Sequence, residues 1–458
     1  MIRRPPRSTL SSSSAASDVY KRQDLLSLKR HGDNVKRLRA EQDDTRVGFD
    51  VDYDRIIFSS FFRSLQDKTQ VVPFSKTSFV HTRLTHSLEV SVVGRSLGRI
   101  IGKHILNKYP QLDHIHKFQI NDFGSIVAAA CLAHDIGNPP FGHSGESSIG
   151  DFFKIGDGKK YKDLLTDIQY NDLCKFEGNA NGFKILTESK IGSPGGLRLS
   201  YATLGAFTKY PKLSLPEDKT GNIKDKKYGF FSNQAKFFDD VASELGLKIS
   251  ESNYMRHPLA FLVEAADDIC YTLIDFEDGI NLGWIPEEYA LEFLVKLVAD
   301  SIDKEKYNKM NLKSQRVSYL RALAINTLIK EAVKIFVENE EEILNGNFES
   351  SLLSKSKFKS QMKSIIEVSV EKVYKSSEVI EKELTGYKVL NFLLKTFTNS
   401  VMNWRDDNLN AFDELALECI PKDYLNKDVD VYTNLLDVSC FIASLTDGLA
   451  LEWYEKLS

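Results

Sequence analysis

A histidine–aspartate pair at the end of an apolar helix can do chemistry, and one stands at His134–Asp135 in the stretch 131-CLAHDIGNPPFGHSGE-146. Residues 126–133 carry no polar face, so the helix they form must be buried. Gly137 and the prolines at 139 and 140 stop it. The pair therefore sits among orphan carbonyls that favour a nearby cation. Burying an imidazole and a carboxylate is costly unless each is hydrogen-bonded or bound to a metal. Taken alone, such a dipeptide is most simply a capped helix end whose two side chains satisfy each other. Only partners elsewhere in the chain would make it a metal site.

Two other stretches offer partners. In 81-HTRLTHSLEVSVVG-94, His86 opens a helix whose apolar positions 88, 92, 93, 97, 100 and 101 are expected to face a core. By itself His86 reads as a capping or packing residue. In 257-HPLAFLVEAADDICYTLIDFEDG-279, Glu264, Asp267, Tyr271, Asp275 and Asp278 recur at spacings of three and four, which puts them on one helical face. Such a stripe is either a solvated edge or the wall of a buried site, and the apolar runs beside it favour the wall. Asp268 lies about 100° round the helix and is expected to make a structural hydrogen bond. Together His86, His134, Asp135 and Asp267 offer mixed nitrogen and oxygen ligands without cysteine. That set suits Mg²⁺, Mn²⁺, Fe²⁺ or Co²⁺ better than structural zinc, and it leaves positions open for water and a phosphoryl oxygen.

The elements that must position these residues are helical. A period of about 3.6 predicts helices over 54–66, 86–107, 122–135, 178–188, 232–245, 257–280, 287–301 and 315–339, with more across 358–402 and 432–457. The segment 70–81 reads as a small β-hairpin, and 155–176 and 209–229 as surface loops. The expectation is an all-α fold with one small hairpin, in which 24–285 form the catalytic core and 286–458 a helical C-terminal region packed on it. Residues 1–23 resemble translated sequencing-adapter read-through, and disorder is expected there. That segment holds five basic residues and one acidic, so a net charge of −4 for the whole chain leaves −8 for the remainder. An acidic protein of this kind lacks the broad basic surface that nucleic-acid binding needs, and a polyanion would have to enter a local basic pocket. No apolar run approaches the roughly 18 residues that span a bilayer. The five cysteines form no CxxC pair and sit mostly in apolar helical patterns, which reads as free thiols in a reducing cytoplasm.

The order H…HD…D resembles the HD-domain metallophosphohydrolases. The fuller strings 46-RVGFDVDYDRIIFSSFFRSLQDKTQV-71, 83-RLTHSLEV-90, 132-LAHDIGNPPFGHSGE-146, 177-EGNANGFKIL-186 and 263-VEAADDICYTLIDFEDG-279 resemble the deoxyguanosinetriphosphate triphosphohydrolases. The resemblance implies an HD helical fold with the metal on His86, His134, Asp135 and Asp267. It places a catalytic histidine on His143 with Glu146 as its acidic partner, and it places sugar and phosphate contacts on Gln70, Lys209, Tyr210, Tyr271 and Asp275. It implies release of deoxynucleoside and intact triphosphate from dNTP, dGTP first, in control of the dNTP pool. The cofactor it implies is a divalent metal, Mn or Mg ahead of Fe or Co. The partners it implies are further copies of the chain in a homo-oligomer such as a hexamer, with single-stranded DNA as an effector. The rivals are an HD nucleotidase or phosphodiesterase and a non-catalytic nucleotide sensor. Near the C-terminus the family's aromatic-small-Gly-Met-Thr-Asp string reads here through Ser444 and Leu445 before Thr446 and Asp447, a departure in the region that bears on subunit contacts.

Overall fold

The computed structural model describes residues 21–71, 80–189, 194–217 and 221–458. Its helices include α1 (Gly48–Phe58), α2 (Arg83–Lys108), α3 (Ile120–Ala133), α4 (Gly142–Lys154), α5 (Asp167–Cys174), α6 (Gly178–Thr187), α7 (Tyr201–Phe207) and α8 (Ala235–Glu244). After the strands β1 (Lys248–Ser250) and β2 (Asn253–Tyr254) come α9 (Ala260–Asn281), α10 (Glu287–Val298), α11 (Lys313–Glu338), α12 (Lys359–Ser369), α13 (Ser377–Arg405), α14 (Val431–Ser444) and α15 (Asp447–Leu457). Among the described residues the fold is all-α apart from β1 and β2, which pair antiparallel with Lys248 opposite Tyr254. Of the hairpin expected at 70–81, residues 72–79 lie outside the described residues. Among the described residues no single helix is long and apolar enough to cross a membrane.

The pairing of α2 with α3 places both candidate histidines. The apolar set expected on α2 splits: Val93, Leu97 and Ile101 are buried, whereas Leu88, Val92 and Ile100 are exposed. The inner face is instead shared with glycines at i, i+4 and i+8. A Cβ on Gly98 would stand 2.6 Å from the Phe123 carbonyl oxygen, and one on Gly94 would stand 2.4 Å from Cys131 Sγ. Small residues let the two backbones approach, and a pattern read from apolar side chains alone turns the helix too far toward its larger residues. Thr82 caps α2 by accepting from the Thr85 amide at 3.4 Å. His86 is thereby set one turn into the helix.

Two cores form. The larger gathers α1, α2, α3, α7 and α9 with α11 and α12. The smaller joins Phe141 and the helices α4 and α5 to α13, α14 and α15. The 155–176 stretch is no surface loop, because α5 lies within it and Tyr161, Asp172 and Leu173 are buried. In the 209–229 stretch, expected as a surface loop, Lys209, Tyr210, Ser214 and Tyr228 are buried. Residues 21–23, grouped in the sequence with the leader, are helical. Arg22 is buried against Glu340 at 2.7 Å and lies over the Tyr109 ring.

Candidate metal and active centre

One cavity of about 580 Å³ opens where α2, α3, α4 and α9 meet Lys209, Tyr210, Lys226 and Lys227. Asp267 on α9 faces both imidazoles. Its Oδ1 lies 3.3 Å from His86 Nε2 and 3.5 Å from His134 Nε2. One ligand atom from each of these three residues falls within 4.8 Å of the others. Asp135 lies beside this trio, its Oδ1 3.4 Å from His134 Nε2.

The residues fit a divalent cation on their own chemistry. The Nδ1–H of His134 donates to the Cys131 carbonyl at 2.7 Å, which fixes the tautomer and turns the lone pair of Nε2 into the cluster. Arg83 Nη1 and Asn138 Nδ2 each donate to Asp135 at 2.6 Å and orient it. Burial lowers the pKa of His134, so the ring stays neutral as a ligand must. Burial opposes ionisation of Asp267, but Lys209 and the two imidazoles outweigh it and hold the carboxyl well below its ordinary range. Burial likewise opposes charge on His86, yet Asp267, Asp135 and Asp275 raise its basicity. His134 and Asp135 lie just past the end of α3, since the helix closes at Ala133 and His134 is its C-cap.

On the same cavity, His143 stands in the first turn of α4, its side chain 84% exposed. Its Nδ1–H donates to Glu146 Oε2 at 2.8 Å, which leaves Nε2 open to the cavity. Glu146 also accepts from the Gly178 amide at 2.7 Å. Burial resists its ionisation, but His143, Lys227 and that amide keep its pKa low. The 177-EGNANG segment is what docks here. A Cβ on Gly137 would meet the Gly178 carbonyl oxygen at 2.2 Å, and Asn181 Nδ2 donates to the Gly137 carbonyl at 2.8 Å.

Every residue that the sequence singled out for substrate lies on this cavity: Gln70, Lys209, Tyr210, Tyr271 and Asp275. Lys209 Nζ donates to Asp267 Oδ2 at 2.6 Å. The Oε1 of Gln70 is buried and finds no partner among the described residues. Burial pushes Asp275 up to about 7. Of the acidic stripe, Glu264, Asp267, Tyr271 and Asp275 line the cavity, whereas Asp278 binds His81. Asp268, expected away from the site, lines it as well, and burial with the charge of Glu264 pushes its carboxyl up.

Several lining residues escaped the sequence reading. Arg83 and Asn138 each stand three residues from a candidate ligand, inside stretches already quoted, and that spacing was a usable signal. Tyr374 had none. It arrives on a π-helical turn at Val370–Tyr374, donates its O–H to Asp275, and lies parallel to Tyr271 with ring centroids 6.0 Å apart.

A helical fold that brings H…HD…D onto one cavity defines an HD-type metal-dependent phosphohydrolase, and the HD domain family matches residues 83–173. A deoxyguanosinetriphosphate triphosphohydrolase-like protein of Synechocystis sp. is 41% identical, the match covering 95% of this chain and 98% of that protein. One from Pseudomonas aeruginosa is 34% identical over the same shares. A deoxyguanosinetriphosphate triphosphohydrolase of Yersinia pseudotuberculosis is 32% identical over 81% of this chain and 80% of its own. The chain belongs to the deoxyguanosinetriphosphate triphosphohydrolase family.

Proposed function

We propose that the protein hydrolyses deoxynucleoside triphosphates, dGTP in preference, to deoxynucleoside and inorganic triphosphate, and so limits the dNTP pool of the cytoplasm. The observation that carries this reading is the convergence on one cavity of the imidazole–carboxylate cluster and the His143–Glu146 pair. A phosphohydrolase that frees O5′ needs a proton donor opposite its metal, and the pair supplies one.

His86, His134, Asp135 and Asp267 would hold the metal, Mn²⁺ or Mg²⁺. When bound, it polarises a phosphoryl oxygen and lowers the pKa of water. His143 holds a proton on Nε2 and delivers it to the departing O5′ while Glu146 fixes the ring through Nδ1. Lys209 places positive charge beside Asp267, where the triphosphate of an acidic protein needs it. The buried Oε1 of Gln70 accepts from a sugar hydroxyl. Tyr271, held by Tyr374 and one turn beyond Asp267, crowds the position of a ribo 2′-OH. Asp275 accepts from the sugar edge beside it.

Chromatography of products from each dNTP with Mn²⁺ or Mg²⁺ tests the reading. Deoxynucleoside and tripolyphosphate, fastest from dGTP, are expected. Orthophosphate or a monophosphate would assign an HD nucleotidase or phosphodiesterase instead, and tight binding without turnover would assign a sensor.

A further inference from the structure

His143 is the most exposed of the site residues; Glu146 holds its ring, but the backbone turn that presents it is held from elsewhere. The chain enters α4 through two consecutive left-handed residues, Phe141 at φ 61° and Gly142 at φ 62°. Glycine adopts that conformation readily, whereas phenylalanine does so only when its surroundings impose it. The surroundings come from the far end of the chain. Asp447, in the first turn of α15 and buried, accepts from the Phe141 amide through Oδ1 at 3.1 Å. Its Oδ2 accepts from the Thr69 amide at 3.1 Å and from the Thr69 hydroxyl. Beside it, buried Lys68 donates to the carbonyls of Asn138 at 2.7 Å and Ala443 at 2.6 Å. The Phe141 ring is seated over Gly386 of α13, where a Cβ would stand 2.3 Å from ring Cγ. One carboxylate thus joins the segment that presents Gln70 to the turn that presents His143.

We propose that Asp447 is a positioning residue: it locks the left-handed Phe141–Gly142 turn against the Thr69–Gln70 segment and so aims His143 at the cavity. This rests on the assignment of His143 as proton donor. Asp447 touches no reacting group. It acts through the backbone of Phe141, and its loss is felt where the donor must be aligned with a breaking bond. A displacement of about 1 Å in such a group can cost on the order of 100-fold in rate.

The test is Asp447→Asn in the full-length, metal-loaded protein, measured on dGTP alone and combined with His143→Ala. The amide side chain keeps the volume of Asp447 and removes one acceptor. We expect kcat to fall about 10- to 100-fold, with KM changed less than about threefold and metal content unchanged. Amide exchange at Phe141 should quicken in the peptide that spans 138–148. On the His143→Ala background the same change should cost almost nothing, because residues acting through one group are not additive. Should Asp447→Asn fail to fold, Thr69→Val, which removes only the hydroxyl donor to Asp447, should show a smaller fall in kcat with the same dependence on His143. Losses that multiply fully with His143→Ala, or an unchanged kcat in a folded Asp447→Asn, would overturn the proposal. Failure of the underlying reading shows elsewhere: His143→Ala by itself would then leave the wild-type kcat intact.

Discussion

His86 and His134 are 1% and 6% exposed, whereas the side chain of His143 is 84% exposed, although all three open on one cavity. The two buried rings stand on or just beyond long core helices whose packing is fixed by the glycine face of α2. The two rings stand 5.2 Å apart and pair with Asp135 and Asp267, and Asp267 in turn accepts from Lys209. The exposed ring stands at the tip of α4, on a turn whose backbone is held by the second core and by Asp447. The metal wall is therefore held from within by ion pairs, and the donor arm from behind by backbone contacts. A group that must hold a metal is best oriented by fixed, buried partners, while a group that must hand a proton to a departing oxygen needs an open nitrogen. That difference in construction is what the two proposed tasks require.

The largest effects are expected on the wall. His134→Ala or Asp267→Ala should abolish metal binding and turnover, with far-UV circular dichroism retained, because α2, α3 and α9 bury their own apolar faces. Full metal occupancy by elemental analysis in both variants would refute the four-ligand assignment. The arm should respond differently. His143→Ala should lower kcat about 10²- to 10⁴-fold, the usual worth of general acid catalysis, with KM within several-fold and the metal retained. Glu146→Ala should cost less, and the double variant little more than His143→Ala alone. A near-normal kcat with a much weakened KM would make His143 a phosphate-binding residue and remove the contrast between wall and arm.

The wall was legible in the sequence because each part of it sits inside a periodic helix or a contiguous string. The spacing of Asp267, Tyr271 and Asp275 shows their common face without any tertiary information. The helices were legible for the same reason, and α2, α3, α6, α9 and α11 fall within a few residues of their expected ranges. What was hidden depends on tertiary packing. The inner face of α2 is set by Gly94 and Gly98, which carry no apolar signal. Asp447 and Phe141 stand 306 positions apart, and Lys68 and Ala443 stand 375 apart. No local pattern announces those pairs. Tyr374 and Arg22 were missed on the same ground, for each takes its meaning from a partner on a distant helix.

The smallest effect concerns how the start of α2 is tied to α9, behind the wall. His81 Nδ1 lies 2.8 Å from Asp278 Oδ1, its backbone amide donates to Asp278 Oδ2 at 3.0 Å, and its Nε2 lies 3.4 Å from Glu89. Burial opposes the imidazolium, but the hydrogen bonds to Asp278 and Glu89 outweigh it and raise the pKa to about 10. In the unfolded chain the ring titrates near its ordinary value of about 6.5. A folded pKa above the unfolded one contributes stability that is fully present below about 6.5 and is lost as pH rises through about 10. His81→Gln keeps the size and one donor but not the charge. Its deficit against wild type, measured by urea unfolding, should be on the order of 1–2 kcal/mol at pH 6, because the pair is partly open to solvent. The deficit should shrink steadily through pH 8 and 9 and approach that of a neutral hydrogen bond above pH 10. Across the same range kcat of His81→Gln should track wild type, because His81 faces Asp278 and Glu89 and does not line the cavity. A deficit that stayed constant or grew with pH would show that His81 is neutral in the folded protein. The tie between α2 and α9 would then be an uncharged packing contact, and the wall would owe nothing to a charge outside the cavity.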